Sequence, residues 1–175
     1  KAAEPDCLAL RGLIAGIGTV NGTVFNAIDF WSRRQTRVCR STFAAETHNL
    51  SEAAEEGMLL AGFGHEVFFG AVSSATLSRM LEQCELKVPV HLYLDAMSVF
   101  TAIRNESHKC PTEQQMLYEI KALRQHLLDG RIDRLTWVDT HDMRAGAVTK
   151  GKAARDALLF YFLALYSIII FCLMN

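Results

Sequence analysis

Val88–Leu94 is an almost unbroken apolar run, and Asp95 ends it. A strand that is apolar at nearly every position has both faces covered, which is the habit of a central strand in an α/β sheet. The run AMSVFTAIRN that follows has helical spacing. A carboxylate therefore stands at the C-terminal end of a buried strand, just ahead of a helix, where open α/β sheets build their ligand sites.

The rest of the chain supplies the partners such a strand needs. Leu8–Gly16 reads as a strand, Asn21-Gly22 as a hairpin turn, Thr23–Ser32 as the return strand and Thr36–Arg40 as a short third strand. Ser41 or Thr42 can N-cap a long helix running to about Leu60. Phe43, Leu50, Ala53, Ala54 and Leu60 form its apolar stripe, while Glu52, Glu55 and Glu56 face water. Gly62 and Gly64 are expected to stop it. Ser73 or Ser74 caps a second helix ending near Cys84, and a short helix follows Asp95 as far as Arg104. After a loop over Asn105–Pro111, Thr112–Asp129 is an amphipathic helix with Leu117, Ile120, Leu123, Leu127 and Leu128 inward and Gly130 just past its end. Ile132–Val138 is the last strand of this series.

At 175 residues, half of them hydrophobic, the chain has the material for one domain with a sizeable core. Its net charge of −1 provides no global field toward nucleic acid. Positive charge is local, in Arg33, Arg34, Arg37 and Arg40 and again in Lys150, Lys152 and Arg155. The five cysteines are scattered without a C-x-x-C pair, which argues against zinc and against a disulfide framework and for reduced thiols. No signal peptide is legible, and a chain opening on Lys1 reads as a fragment or a processed product.

The C-terminal stretch departs from this pattern. Ala157–Met174, ALLFYFLALYSIIIFCLM, holds 18 residues without a charge. As a helix it would extend about 27 Å, close to a bilayer's hydrocarbon thickness. The basic residues just before it are placed as a cytoplasmic anchor would have them. The expectation is a hydrophobic C-terminal helix over 153–175, separate from a domain over 1–152, and either anchored in a membrane or membrane complex through 157–174 or packed on the domain itself or on a partner. Truncation after Arg155 is then expected to release a soluble folded domain.

Three motifs stand together in this frame. WSRRQTRVCRSTFAAE carries Glu46 where a basic, strand-like run becomes a helix, VPVHLYLD carries Asp95, and LTWVDTHDMRAGAVTKG spans 135–151. Over about residues 7–152 they resemble the ribonuclease H domain of copia-type retrotransposon Pol polyproteins, which reads roughly W-S-x-K-Q, S-T-x-A-E-x-E, a strand-end Asp, and A-D-x-x-T-K. The resemblance implies a ribonuclease H-like mixed β-sheet flanked by helices, a cytoplasmic or nuclear setting, and cleavage of the RNA strand of an RNA–DNA hybrid. In that chemistry two Mg²⁺ ions held by four acidic residues clamp the attacking water and the leaving oxygen. Carried over by motif, Glu46 matches the helix glutamate and Asp95 the strand-end aspartate. Gly146 stands where the last aspartate belongs, and the chain begins after the first, so the first strand is missing or supplied from elsewhere. Two carboxylates would hold Mg²⁺ weakly or not at all, so impaired catalysis is expected.

Each candidate also has a plainer reading. A Glu early in a helix favours the macrodipole, and an Asp after a strand commonly caps the next helix. Asp6 and Asp142 are placed to replace the lost carboxylates, but Asp6 reads first as an exposed terminal residue and Asp139 and Asp142 as loop hydrogen-bonding or capping residues; His141 beside them reads as a solvated loop histidine rather than a general base. Arg33, Arg34, Arg37 and Arg40 would contact phosphates by ancestry, or simply protect a strand edge with charge. Trp31 and Trp137 read as core. A non-enzymatic scaffold held by its apolar tail is the alternative to a degenerate nuclease, and a third reading is an active nuclease whose missing ligands come from Asp6, Asp142 or a partner chain.

Overall fold

A computed structural model describes residues 10–18, 25–35, 39–105, 114–139 and 167–174. In chain order the elements are β1 (Leu10–Gly18), β2 (Phe25–Arg34), α1 (Thr42–Phe69), α2 (Ser74–Glu82), β3 (Val90–Leu94), α3 (Met97–Arg104), α4 (Gln114–Leu128), β4 (Arg134–Trp137) and β5 (Ser167–Met174). The class is mixed α/β, as the strand and helix patterns required.

The five strands form one sheet in the order β2-β1-β5-β3-β4. β1 and β2 are an antiparallel pair with a bulge at Ala15/Gly16. β3 and β4 are a parallel pair. β5 lies between the pairs, antiparallel to β1 from Arg11↔Met174 to Gly18↔Ser167 and parallel to β3 from Val90↔Ile168 to Leu94↔Cys172. The last strand in sequence is thus the middle strand in space.

This overturns the expected C-terminal apolar helix. Residues 167–174 are extended, not helical, and they belong to the same sheet as the residues before 152. Among the described residues no helix is long and apolar enough to cross a membrane. The physical reason is visible in SIIIFCLM. Three consecutive Ile residues are stiff at χ1 and suit a pleated surface better than a helix. An uncharged run also satisfies a strand buried on both faces as readily as a membrane span. Ile170 is fully buried within the main hydrophobic cluster, with Leu13, Leu50, Val90, Leu92 and Leu94. Residues 157–166 of the expected helix lie outside the described residues.

Helix α1 covers one face of the sheet. Ser41 caps it, its hydroxyl accepting from the Ala44 amide at 3.1 Å. It runs through Gly57, Gly62 and Gly64, the last two expected as stops, and ends only at Gly70, whose φ of 104° is a left-handed conformation suited to glycine. The packing explains the continuation. A Cβ built on Gly57 would lie 2.8 Å from both Ile170 Cδ1 and Val90 Cγ1, so the missing side chain lets the helix settle on β5 and β3. Tertiary contact outweighs the weak helix propensity of glycine there.

α3 is tied to both α4 and β4 at its C-terminal end. The Arg124 guanidinium on α4 donates to the carbonyls of Ala102, Ile103 and Asn105, at the end where a helix leaves its last carbonyls to outside donors. Arg104 donates to Leu135 O at 3.1 Å on β4. Several smaller expectations differ from the structure. Cys39 and Arg40 are not strand residues, and Thr36–Val38 of the expected third strand lie outside the described residues. On α4, Ile120 and Leu123 are buried as expected, but Leu128 is exposed and Met116 takes a core position instead. Among the described residues Cys39 and Cys84 form no disulfide.

Candidate functional site

The candidate carboxylates stand on the elements that the sequence assigned to them. Asp95 follows β3 directly and Glu46 is in the first turns of α1; both are half-buried. Gly57 of α1 lies over Val90, and Gly64, further along the helix, lies over Val88. α1 therefore runs antiparallel to β3, and its N-terminal end approaches the C-terminal end of β3. Glu46 precedes Gly57 by 11 positions, about three turns at 3.6 residues each, so the two share the sheet-facing side of the helix. Glu46 and Asp95 thus belong to the same end of the sheet. Trp137, at the end of neighbouring β4, donates its indole N–H to the Asp95 carbonyl at 3.1 Å, which fixes the backbone at that strand end.

The central strand changes the acidic inventory of this end. β5 is SIIIFCLM, and none of its residues is acidic. The strand that fills the middle of the sheet therefore brings no carboxylate to accompany Glu46 and Asp95. Asp139 is described, two residues past β4, and is exposed. Asp6, His141, Asp142 and Gly146 lie outside the described residues. Among the described residues no group of three or more His, Cys, Asp or Glu side chains is arranged to hold a metal ion.

The arginines do not form one surface. Arg33 and Arg34 are neighbours on β2, so they point to opposite faces of the sheet. Arg33 takes the α1 side, where it pairs with Glu52 at 3.1 Å and stacks on Trp31 at 4.0 Å. Arg34 and Arg40 are exposed, and Arg37 lies outside the described residues. Trp31 packs partly buried against the core with Arg11 and Arg33 over its ring, and Trp137 is likewise half-buried.

What the sequence reading missed is the polar network on the α1 face of the hairpin. Glu52, expected to face water, accepts from both Arg11 and Arg33. Arg11 and Gln35 are both only 3% exposed. Ser51 and His48 on α1 both approach Glu119 on α4, at 2.7 and 3.7 Å. The available signal was the alternation in β1, where Arg11, Leu13 and Ala15 share a face. On β3, His91 is buried and hydrogen-bonded through Nε2 to Asp133 at 2.9 Å. Burial lowers its pKa, against the opposing pull of Asp133.

Compared with family models, curated proteins and solved structures, the chain matches none.

Proposed function

We propose that the chain is a ribonuclease H-like domain of retrotransposon origin whose hybrid-cutting chemistry is impaired. The three sequence motifs supply the resemblance. The observation that carries the impaired reading is the central strand. It joins an antiparallel pair to a parallel pair, as a mixed sheet requires, yet it contributes no acidic residue beside Glu46 and Asp95. With Gly146 also lacking a carboxylate, two acidic positions of four remain.

Hard oxygen donors at a strand end suit Mg²⁺, so Glu46 and Asp95 are the residues that would hold it, with water completing the shell. The metal would supply charge neutralisation at a phosphate. Two carboxylates hold one such ion weakly, and a symmetric pair of ions needs more negative charge than they provide. The chain's own contribution is then binding. Arg34 and Arg40, exposed near β2 and the start of α1, would contact phosphates of an RNA–DNA hybrid without reading its sequence. Arg33, which pairs with Glu52 and stacks on Trp31, belongs to the same group by the resemblance.

The experiment pairs cleavage with metal placement. Purified chain incubated with a labelled hybrid and Mg²⁺ or Mn²⁺ should cut it barely or not at all. Robust cutting that Asp95→Asn abolishes would overturn the impaired reading. In the same protein Mn²⁺ should broaden backbone resonances around Glu46 and Asp95 first. Broadening confined to other regions would remove these two residues from the metal site and, with them, the main support for the family reading.

A further inference from the structure

Where β1 begins and β2 ends, a polar cavity of about 200 Å³ opens beside α1 and α4. Gln35 and Arg11 line it, each 3% exposed. Among the described residues neither polar atom of the Gln35 amide has a hydrogen-bond partner, nor does Arg11 Nε. A buried amide stripped of water and left unpaired is costly, and folded chains keep few of them. An amide held this way and facing a cavity is a binding group waiting for a partner.

The other walls define the partner's charge. Glu52, Glu55 and Glu119 line the cavity. Arg11 and Arg33 both pair with Glu52, so among the described residues three carboxylates against two guanidiniums leave one negative charge in surplus. His48 and Ser51 occupy part of Glu119, through 3.7 and 2.7 Å contacts. The acceptors that remain come from three separate parts of the fold, with Gln35 just past β2, Glu52 and Glu55 on α1 and Glu119 on α4. Dispersed acceptors with a negative surplus suit a cation that carries several N–H donors. The volume is below the roughly 300–1,000 Å³ of drug-sized sites, so the guest is small.

We propose that this cavity binds a compact organic cation, an alkyl ammonium or guanidinium, with Gln35 Oε1 and the open sides of Glu52, Glu55 and Glu119 as its acceptors. Arg11 Nε and Gln35 Nε2 donate to bridging water or to an acceptor on the guest. The same head group occurs on a free amine and on a lysine or arginine side chain of another protein. The inference is independent of the ribonuclease H reading, since it uses neither Glu46 nor Asp95.

The test titrates the full chain with agmatine, with the blocked tripeptide acetyl-Gly-Arg-Gly-amide, and with neutral butane-1,4-diol, read by amide NMR shifts and calorimetry. At least one cation should saturate at millimolar concentration and shift the amides of Gln35, Ser51 and Glu55, while the diol does neither. Agmatine alone binding identifies a free amine as the guest; the tripeptide alone binding identifies a protein-borne side chain. Gln35→Met and Glu55→Gln should each weaken binding by roughly fivefold, about 1 kcal/mol. Gln35→Met should melt no lower than the parent chain, which separates a lost site from a lost fold. The proposal fails if neither cation binds, if the diol binds as well as they do, or if Gln35→Met retains full affinity.

Discussion

β1 is flanked by two antiparallel strands of opposite character. β2, on one side, follows β1 closely in sequence, forms the sheet edge and is exposed along most of its length, with Phe30 67% exposed. β5, on the other side, comes from the far end of the chain, hydrogen-bonds on both edges and buries Ile170 completely. A strand's place in the sheet, more than its apolar content, decides how much stability it carries. β2 loses one set of ladder bonds if it frays. β5 links the antiparallel pair to the parallel pair, and without it the sheet order has a gap one strand wide.

The strongest way to break this comparison is to delete β5. A chain ending at Tyr166 should lose its cooperative thermal transition altogether, as read by circular dichroism and amide dispersion. That is the reverse of what an appended apolar helix would give. A truncated chain that still melts sharply would show the central strand to be dispensable.

Single substitutions sharpen the contrast. Ile170→Ala should cost about 2–5 kcal/mol in denaturant unfolding, because it opens a cavity under α1. Phe30→Ala, on an exposed side chain of β2, should stay within about 0.5 kcal/mol. Equal effects of the two would mean that the edge and the centre are not energetically distinct.

The helix above β5 offers a smaller effect with a change of sign. Gly57→Ala puts a Cβ 2.8 Å from Ile170 Cδ1 and Val90 Cγ1, and overpacking of this kind should destabilise by about 1–3 kcal/mol. Gly62→Ala meets nothing nearer than Leu77 Cδ1 at 3.7 Å, and removing a mid-helix glycine should stabilise by up to about 1 kcal/mol. Matched thermal melts of the two variants check the opposition; a harmless Gly57→Ala would mean that α1 does not rest closely on the central strands.

The mildest effect is in pH. The pKa of His91 on β3, next to β5, is lowered from 6.5, chiefly by burial and also by Arg134, with Asp133 opposing. His126 is lowered too, by burial and Arg131, with Asp129 and Glu55 opposing. The unfolded chain then binds more protons than the folded one below the ordinary histidine value, so stability rises with pH there. It should be complete above about pH 6.5 and decline as pH falls through the depressed values. β2 contains no histidine, so the loss should begin around β3 in amide exchange measured across this range. Exchange that loosens β2 first, or stability that grows on acidification, would contradict this reading.

The sequence by itself determined the local elements. A cap at Ser41 or Thr42 starts α1, the spacing of Ile120 and Leu123 turns α4 inward, and the apolar run from Val88 is a buried strand ending before Asp95, because capping, periodicity and burial are written within a few residues of one another. It also put Glu46 and Asp95 on a helix start and a strand end. The tertiary structure decided what depends on residues far apart in the chain. An uncharged run such as SIIIFCLM reads as a buried strand or a buried helix until its neighbours are known, and β1 and β3, more than 70 residues earlier, are what make it a strand. Arg11 and Glu52 meet only because β1 passes beneath α1. The Gln35 amide becomes a buried group, unpaired among the described residues, only once α1 and α4 close over the hairpin's end. Burial and pairing are properties of the assembled surroundings, and one segment of sequence does not contain them.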